Sequence, residues 1–127
     1  PELELLHHCP NGGSRNKAEA VKLKQMGVKA GIPDLCLPVP MGVYSGLYIE
    51  MKYDTGRLED SQKKMLKALA AAGHYCTVCY GAEEAIRVLQ EYINLKKIDT
   101  GNREDAMSEQ NLMIRKNGKV KCIIFKE

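Results

Sequence analysis

Between Asp34 and Leu95 the spacing of apolar residues changes period three times, and few folds can absorb that order. Asp34-Leu35-Cys36-Leu37-Pro38-Val39 alternates as a strand, with Asp34, Cys36 and Pro38 on one face and Leu35, Leu37 and Val39 on the other. Leu47-Tyr48-Ile49-Glu50-Met51-Lys52 alternates more cleanly, setting Leu47, Ile49 and Met51 against Tyr48, Glu50 and Lys52. The short Pro40–Gly46 loop between them implies an antiparallel hairpin. The pattern turns helical from about Ser61 to Ala72, where Met65, Leu66 and Leu69 face inward and Gly73 is the stop signal. Tyr75–Tyr80 is uncharged and flanked by glycines, as expected of a strand buried on both faces. Helical spacing returns from Glu83 to about Leu95 through Ala85, Val88, Leu89 and Tyr92. Strand, helix, strand, helix is a βαβα unit whose two strands pair in parallel. The expected class is α/β, with a mixed central sheet flanked by helices.

The two ends are less regular. Leu3–Cys9 reads as a strand or the end of a helix, and Pro10-Asn11-Gly12-Gly13 as a loop. Asn16 with Glu19 three residues on resembles a capping box, opening a charged surface helix that ends at Gly27. Asp99–Gln110 is polar and reads as a linker. Beyond it, Leu112–Lys116 and Lys119–Phe125 flank Asn117-Gly118, a strong hairpin signal. A lone hairpin is marginal, so this appendix is expected to dock on the core or on a second subunit. The division expected is a domain over 1–97, then linker and hairpin over 98–127.

With 127 residues, 44% hydrophobic and 28% charged, the composition suits one globular domain and excludes a disordered chain. No uncharged run is apolar enough for a membrane span, so no membrane partner is expected. A net charge of +3 permits a nucleic-acid partner without requiring one. Five cysteines and no secretory leader point to free thiols in a reducing compartment, so a cytoplasmic location is expected. Pro1 is not an initiator residue, and further chain is expected upstream.

Pro33-Asp34 followed by Glu50-Met51-Lys52 is the constellation that bears chemistry. The hairpin brings Asp34 and Glu50 onto adjacent strands, and Glu50 and Lys52 project from one face. Hard oxygen ligands of this kind suit Mg²⁺, which takes one or two carboxylates and completes its shell with water and phosphate. Such an ion acidifies water and offsets charge on phosphorus oxygens, while a nearby lysine orients the attacking water. The triplet Glu50-Met51-Lys52 alone is uninformative, since a solvated strand face with a weak ion pair explains it equally well. Pro33-Asp34 on the preceding strand and Gln62 on the following helix add the weight.

These residues sit within a longer pattern. Pro10-Asn11-Gly12-Gly13, Lys22-Leu23-Lys24, Gly27 to Leu35, Gly46 to Lys52, Ser61-Gln62 and Gly73 together resemble the VRR-NUC domain, over about residues 8–95. That domain is the virus-type replication-repair nuclease branch of the PD-(D/E)XK superfamily, and the pattern is most similar to stand-alone phage and prophage members. The resemblance implies a restriction-endonuclease-like core. It implies that Asp34, Glu50 and the Met51 backbone carbonyl bind Mg²⁺ or Mn²⁺, that Lys52 is the catalytic lysine, and that Gln62 supports the site or the nucleic-acid backbone. It further implies an endonuclease on structured DNA, similar to Holliday-junction resolvases and working as a homodimer in a bacterial or phage-infected cell. The products would be a 5′-phosphate and a 3′-hydroxyl. One departure stands out: the family's acidic residue on an N-terminal helix has no clear counterpart beyond Glu2 and Glu4. The other class of reading is therefore a non-catalytic DNA-binding or assembly module that keeps the nuclease fold.

Arg15, Lys17, Lys22, Lys24 and Lys29, with Lys63, Lys64 and Lys67, form local positive excesses. Beside a nuclease site, phosphate contact is the expected use of Asn11, Arg15, Lys17, Lys22, Lys24, Lys29 and Lys63, although a solvated helix face is the ordinary fate of such residues. Cys76 and Cys79, three apart on one strand, point to opposite faces and are expected to be buried structural thiols rather than a zinc or redox pair. His7 and His8 are expected to be solvated or hydrogen-bonded. Tyr44 and Tyr48 are left open between packing and base stacking.

Overall fold

Strands β1 (His7–His8), β2 (Leu35–Leu37), β3 (Leu47–Lys52), β4 (Tyr75–Tyr80), β5 (Asn111–Lys116) and β6 (Lys119–Ile124) form one sheet in that spatial order. The computed structural model describes residues 1–10, 29–95 and 111–124. β1, β2 and β3 pair antiparallel, β3 pairs with β4 and β4 with β5 in parallel, and β6 returns antiparallel to β5. Helix α1 (Asp60–Ala71) connects β3 to β4, and α2 (Ala82–Ile93) follows β4. The antiparallel hairpin and the parallel βαβ crossover are both as the apolar spacing predicts.

The side-chain alternation divides the core into two layers. Leu37, Leu47, Ile49 and Cys79 meet Ala85, Val88 and Tyr92 of α2, whereas Cys76, Val78 and Leu112 meet Leu66 and Ala70 of α1. The helices therefore cover opposite faces, and β4 is buried on both, which is why its sequence carries no charge. Each fully buried Leu, Ile or Val contributes roughly 1.5–3 kcal/mol relative to exposure. The one polar atom that Tyr92 brings into its layer is satisfied, because its hydroxyl donates to the Val39 carbonyl at 2.6 Å.

Several boundaries move for identifiable reasons. β2 is shorter than the alternation suggests, since Pro33 and Pro38 bracket it and neither has an N–H to give the ladder. α1 begins at Asp60, because Glu59 and Gln62 close a capping box around its first turn. The N-terminal stretch resolves into an exposed 3₁₀ turn, Glu2–Leu5, and then β1. The hairpin docks on the core: β5 continues the sheet beside β4, and Asn117 (φ 53°) and Gly118 (φ 74°) make its turn. Thr77 Oγ1 donates to the Met113 carbonyl at 2.9 Å and Arg115 to the Tyr75 hydroxyl at 3.3 Å, fastening the hairpin. The helix expected from Asn16 to Gly27 and the linker from Asp99 to Gln110 lie outside the described residues.

Candidate active site

The register of β2 on β3 sets Leu35 against Ile49, so Asp34 stands one step beyond, opposite Glu50. Carried one further residue, it sets Pro33 against Met51. Pro33 has no N–H, so the ladder offers the Met51 carbonyl no donor from that position. The Met51 N–H is taken instead by Asp34, whose Oδ2 accepts it at 2.8 Å. N–H and C=O of one strand residue point the same way, so the Met51 carbonyl also faces the Asp34 side. The Gly81 N–H to Lys52 carbonyl bond of 3.0 Å, on the β4 side of the neighbouring residue, agrees with that alternation.

Glu50 is 3% exposed, and its two oxygens differ. Oε1 accepts from Gln62 Nε2 at 3.2 Å and lies 3.9 Å from Lys52 Nζ. Oε2 is buried with no hydrogen-bond partner. Burial pushes the Glu50 carboxyl up to about 8; the Asp34 charge and a shared hydrogen bond with Asp34 add to this, and Lys52 opposes it. A buried carboxyl held against a second carboxyl carries a proton at neutral pH unless a cation replaces it. The orphaned Oε2, the Asp34 carboxyl opposite Glu50 and the Met51 carbonyl on the Asp34 side offer oxygen donors alone, the chemistry that fits a hard divalent cation. Among the described residues no group of three His, Cys, Asp or Glu side chains is placed to hold an ion.

Gln62 reaches the site from the first turn of α1. Its Oε1 accepts the Glu59 N–H at 2.9 Å, which fixes the amide and aims Nε2 at Glu50. The turn is itself seated on Gly31. A Cβ there would stand 2.3 Å from the Ser61 carbonyl oxygen, and its φ of +80° suits only glycine.

Asp34, Glu50, Lys52 and Gln62 thus come together as the sequence predicts. Lys29 is exposed, and Lys63 is exposed on the first turn of α1. Asn11, Arg15, Lys17, Lys22 and Lys24 lie outside the described residues. Glu2 and Glu4 lie in the exposed 3₁₀ turn. Cys76 and Cys79 are buried in opposite layers, and burial pushes their thiols up to about 12 and about 11. His7 and His8 are exposed, and His7 Nδ1 lies 3.0 Å from the Leu5 carbonyl oxygen. Tyr44 packs edge-on against Tyr75 and Tyr48 against His74, with ring centroids 4.9 and 5.1 Å apart.

The sequence pattern of the VRR-NUC domain matches residues 2–83. This chain belongs to the VRR-NUC family. Among solved structures it is similar to one described as a VRR_NUC domain protein, with 39% identity and a TM-score of 0.67, over 78% of this chain and 75% of that one. No curated protein matches it. VRR-NUC membership supports a nuclease-type fold and DNA as a partner. The hairpin of β5 and β6 lies beyond the matched segment. No helix among the described residues is long and apolar enough to cross a membrane.

Proposed function

We propose that this VRR-NUC chain is a divalent-metal-dependent DNA endonuclease. The observation that supports it most is the buried, unpartnered Oε2 of Glu50, a carboxyl that the strand register sets opposite Asp34 and two residues from Lys52 on one strand. Asp34, Glu50 and the Met51 carbonyl would hold Mg²⁺ or Mn²⁺, which supplies water acidification and charge neutralisation at phosphorus. Lys52 is only partly exposed and its ammonium donates to the attacking water, offsetting negative charge as it grows on the phosphoryl oxygens. Gln62 positions Glu50 rather than touching the substrate. Water adds to phosphorus in line with the departing 3′-oxygen; the P–O3′ bond breaks, and the water's protons end on the 3′-hydroxyl and in solvent. One strand then ends in a 5′-phosphate and the other in a 3′-hydroxyl.

The substrate within this reading is branched DNA, cut as a four-way junction by a homodimer carrying one site per strand. The test is cleavage of labelled four-way-junction, flap and linear duplex DNA with Mn²⁺, comparing wild type with Lys52→Ala, alongside sedimentation velocity. Junction cutting by a dimer that vanishes in the variant is the expected result. Cutting of flaps or linear duplex alone would overturn the junction preference. Tight binding that is indifferent to metal, with no cutting, would overturn the enzyme.

A further inference from the structure

We infer that the C-terminal hairpin is part of the nucleic-acid surface, with Lys116, Lys119 and Lys121 forming a phosphate-backbone track that leads away from Lys52. This rests on the nuclease reading only for where the track begins. Strand register sets these lysines in line. Lys52 pairs with Tyr80, the Cys79–Arg115 pair puts Lys116 next to Tyr80, and Lys116 pairs with Lys119. Side chains on paired positions share a face. Lys52, Tyr80, Lys116 and Lys119 therefore form one row across four strands, on the face that also carries Glu50. Lys121, paired with Ile114, lies on the same face one step further along β6.

Neighbouring strands lie about 4.8 Å apart, which places Lys116 roughly 10 Å and Lys119 roughly 14 Å from Lys52. One nucleic-acid strand presents a charge about every 3.4 Å of axis, so the row spans on the order of four phosphates. All three hairpin lysines are exposed. Their placement is built rather than incidental. Lys116 Nζ donates to the Asp54 carbonyl at 3.0 Å and lies 4.6 Å from the centre of the Tyr80 ring, while the Tyr80 hydroxyl donates to the Gly56 carbonyl at 2.6 Å. These contacts tie the hairpin to the loop that leaves Lys52. On the other side, the Gly118 N–H donates to buried Glu84 at 2.7 Å, so the turn is held from α2 as well. The same loop carries exposed Arg57, another cation, against exposed Asp54 and Glu59. A row with lysine on three of its four strands, continuous with a phosphodiester-cleaving site, fits a polyanionic strand better than a protein partner, because the exposed apolar Ile123 on that face of β6 lies beyond Lys121 and not at the centre of the patch.

The test is binding of a fluorescein-labelled four-way DNA junction and its linear duplex control by the full chain, in EDTA, across a range of salt. Wild type is compared with the Lys116→Gln/Lys119→Gln/Lys121→Gln variant and with the matching Lys→Arg variant. The glutamine variant is expected to bind on the order of tenfold or more weakly, with a salt slope flatter by about 2–3, and the arginine variant to restore both. Should loss of the Lys116 bond unfold the glutamine variant, Lys119→Gln/Lys121→Gln leaves that bond intact and is expected to flatten the slope by about 1–2. Unchanged affinity and slope overturn the track, as does an arginine variant as weak as the glutamine one. Lys52→Ala cleavage is read separately: hairpin-dependent binding without Lys52-dependent cutting keeps the track and removes the nuclease, and the converse keeps the nuclease and removes the track.

Discussion

Gln62 donates from Nε2 to Glu50 Oε1 at 3.2 Å while its own Oε1 closes the capping box of α1 on Glu59, so one side chain couples a helix terminus to a buried carboxyl. The two bonds separate under substitution. Gln62→Ala removes both and is expected to cost about 1 kcal/mol of stability and to lower metal affinity. Gln62→Glu keeps an acceptor for the Glu59 N–H but sets a carboxylate against Glu50. It is expected to keep most of the stability and, because the added carboxylate brings negative charge to a cation site, to bind Mn²⁺ more tightly than Gln62→Ala. Chemical denaturation and Mn²⁺ titration calorimetry on the two variants measure this. Equal metal affinity in both would show that Gln62 is only a helix cap.

The Glu50 carboxyl makes metal-free stability depend on pH. Its folded value of about 8 lies above its ordinary 4.5, so between these the folded state keeps a proton that the unfolded chain releases. The contribution is fully present below about pH 4.5, and it is lost as pH rises towards 8, at up to about 1.4 kcal/mol per pH unit. Denaturation midpoints in EDTA should fall across this window, and the fall should be shallower in Glu50→Gln. Added Mn²⁺ should raise the midpoint more at pH 7.5 than at pH 6, because binding must displace the proton. A wild-type profile as flat as that of Glu50→Gln would remove Glu50 as the titrating group.

Much of this was legible because alternation and charge sit on the same short segments. Glu50 and Lys52 share a strand face whatever the neighbours are, and an uncharged Tyr75–Tyr80 has to be a central strand. Pairings made far along the chain were not legible. Nothing near Arg115 announces that it meets Glu91 and the Tyr75 hydroxyl, or that Glu84 is buried to accept the Gly118 N–H. Charged residues next to a turn ordinarily lie in water, and only β5 lying beside β4 brings them under α2. The helix expected from about Ser61 begins one residue earlier, at Asp60, because the reciprocal bonds of Glu59 and Gln62 draw Asp60 into its first turn. The state of Glu50 depends on burial together with Asp34, and neither can be read from one strand.

Gly31 is a point at which backbone geometry, not chemistry, controls the site. Gly31→Ala puts a methyl 2.3 Å from the Ser61 carbonyl oxygen at a φ of +80°, and the obstacle is backbone that cannot rotate away. The variant is expected to lose about 2 kcal/mol or more and to shift the first turn of α1, taking Gln62 from Glu50. Denaturation gives the first effect. For the second, the pH dependence of the metal-free midpoint should change together with Mn²⁺ affinity, whereas a substitution that merely destabilises would leave both unaltered.

Thiol reactivity tests the two-layer core and the non-redox reading of the Cys76–Cys79 pair together. Cys36, Cys76 and Cys79 are buried, Cys9 is partly exposed and Cys122 is exposed on β6. Burial also raises the Cys9, Cys36, Cys76 and Cys79 thiols above their ordinary value, which starves each of the thiolate that reacts. A disulfide reagent at pH 8 should therefore label Cys122 first, Cys9 more slowly, and the other three only as the chain unfolds. Cys122→Ser should abolish the fast phase and leave the rest unchanged. Rapid modification of Cys76 or Cys79 in the folded protein would mean that β4 opens on one face. Cys76 lies in the layer under α1, on the face that carries Glu50 and Lys52, and Cys79 in the layer under α2, so fast labelling of Cys76 would report loosening of the site's own face and fast labelling of Cys79 that of the other.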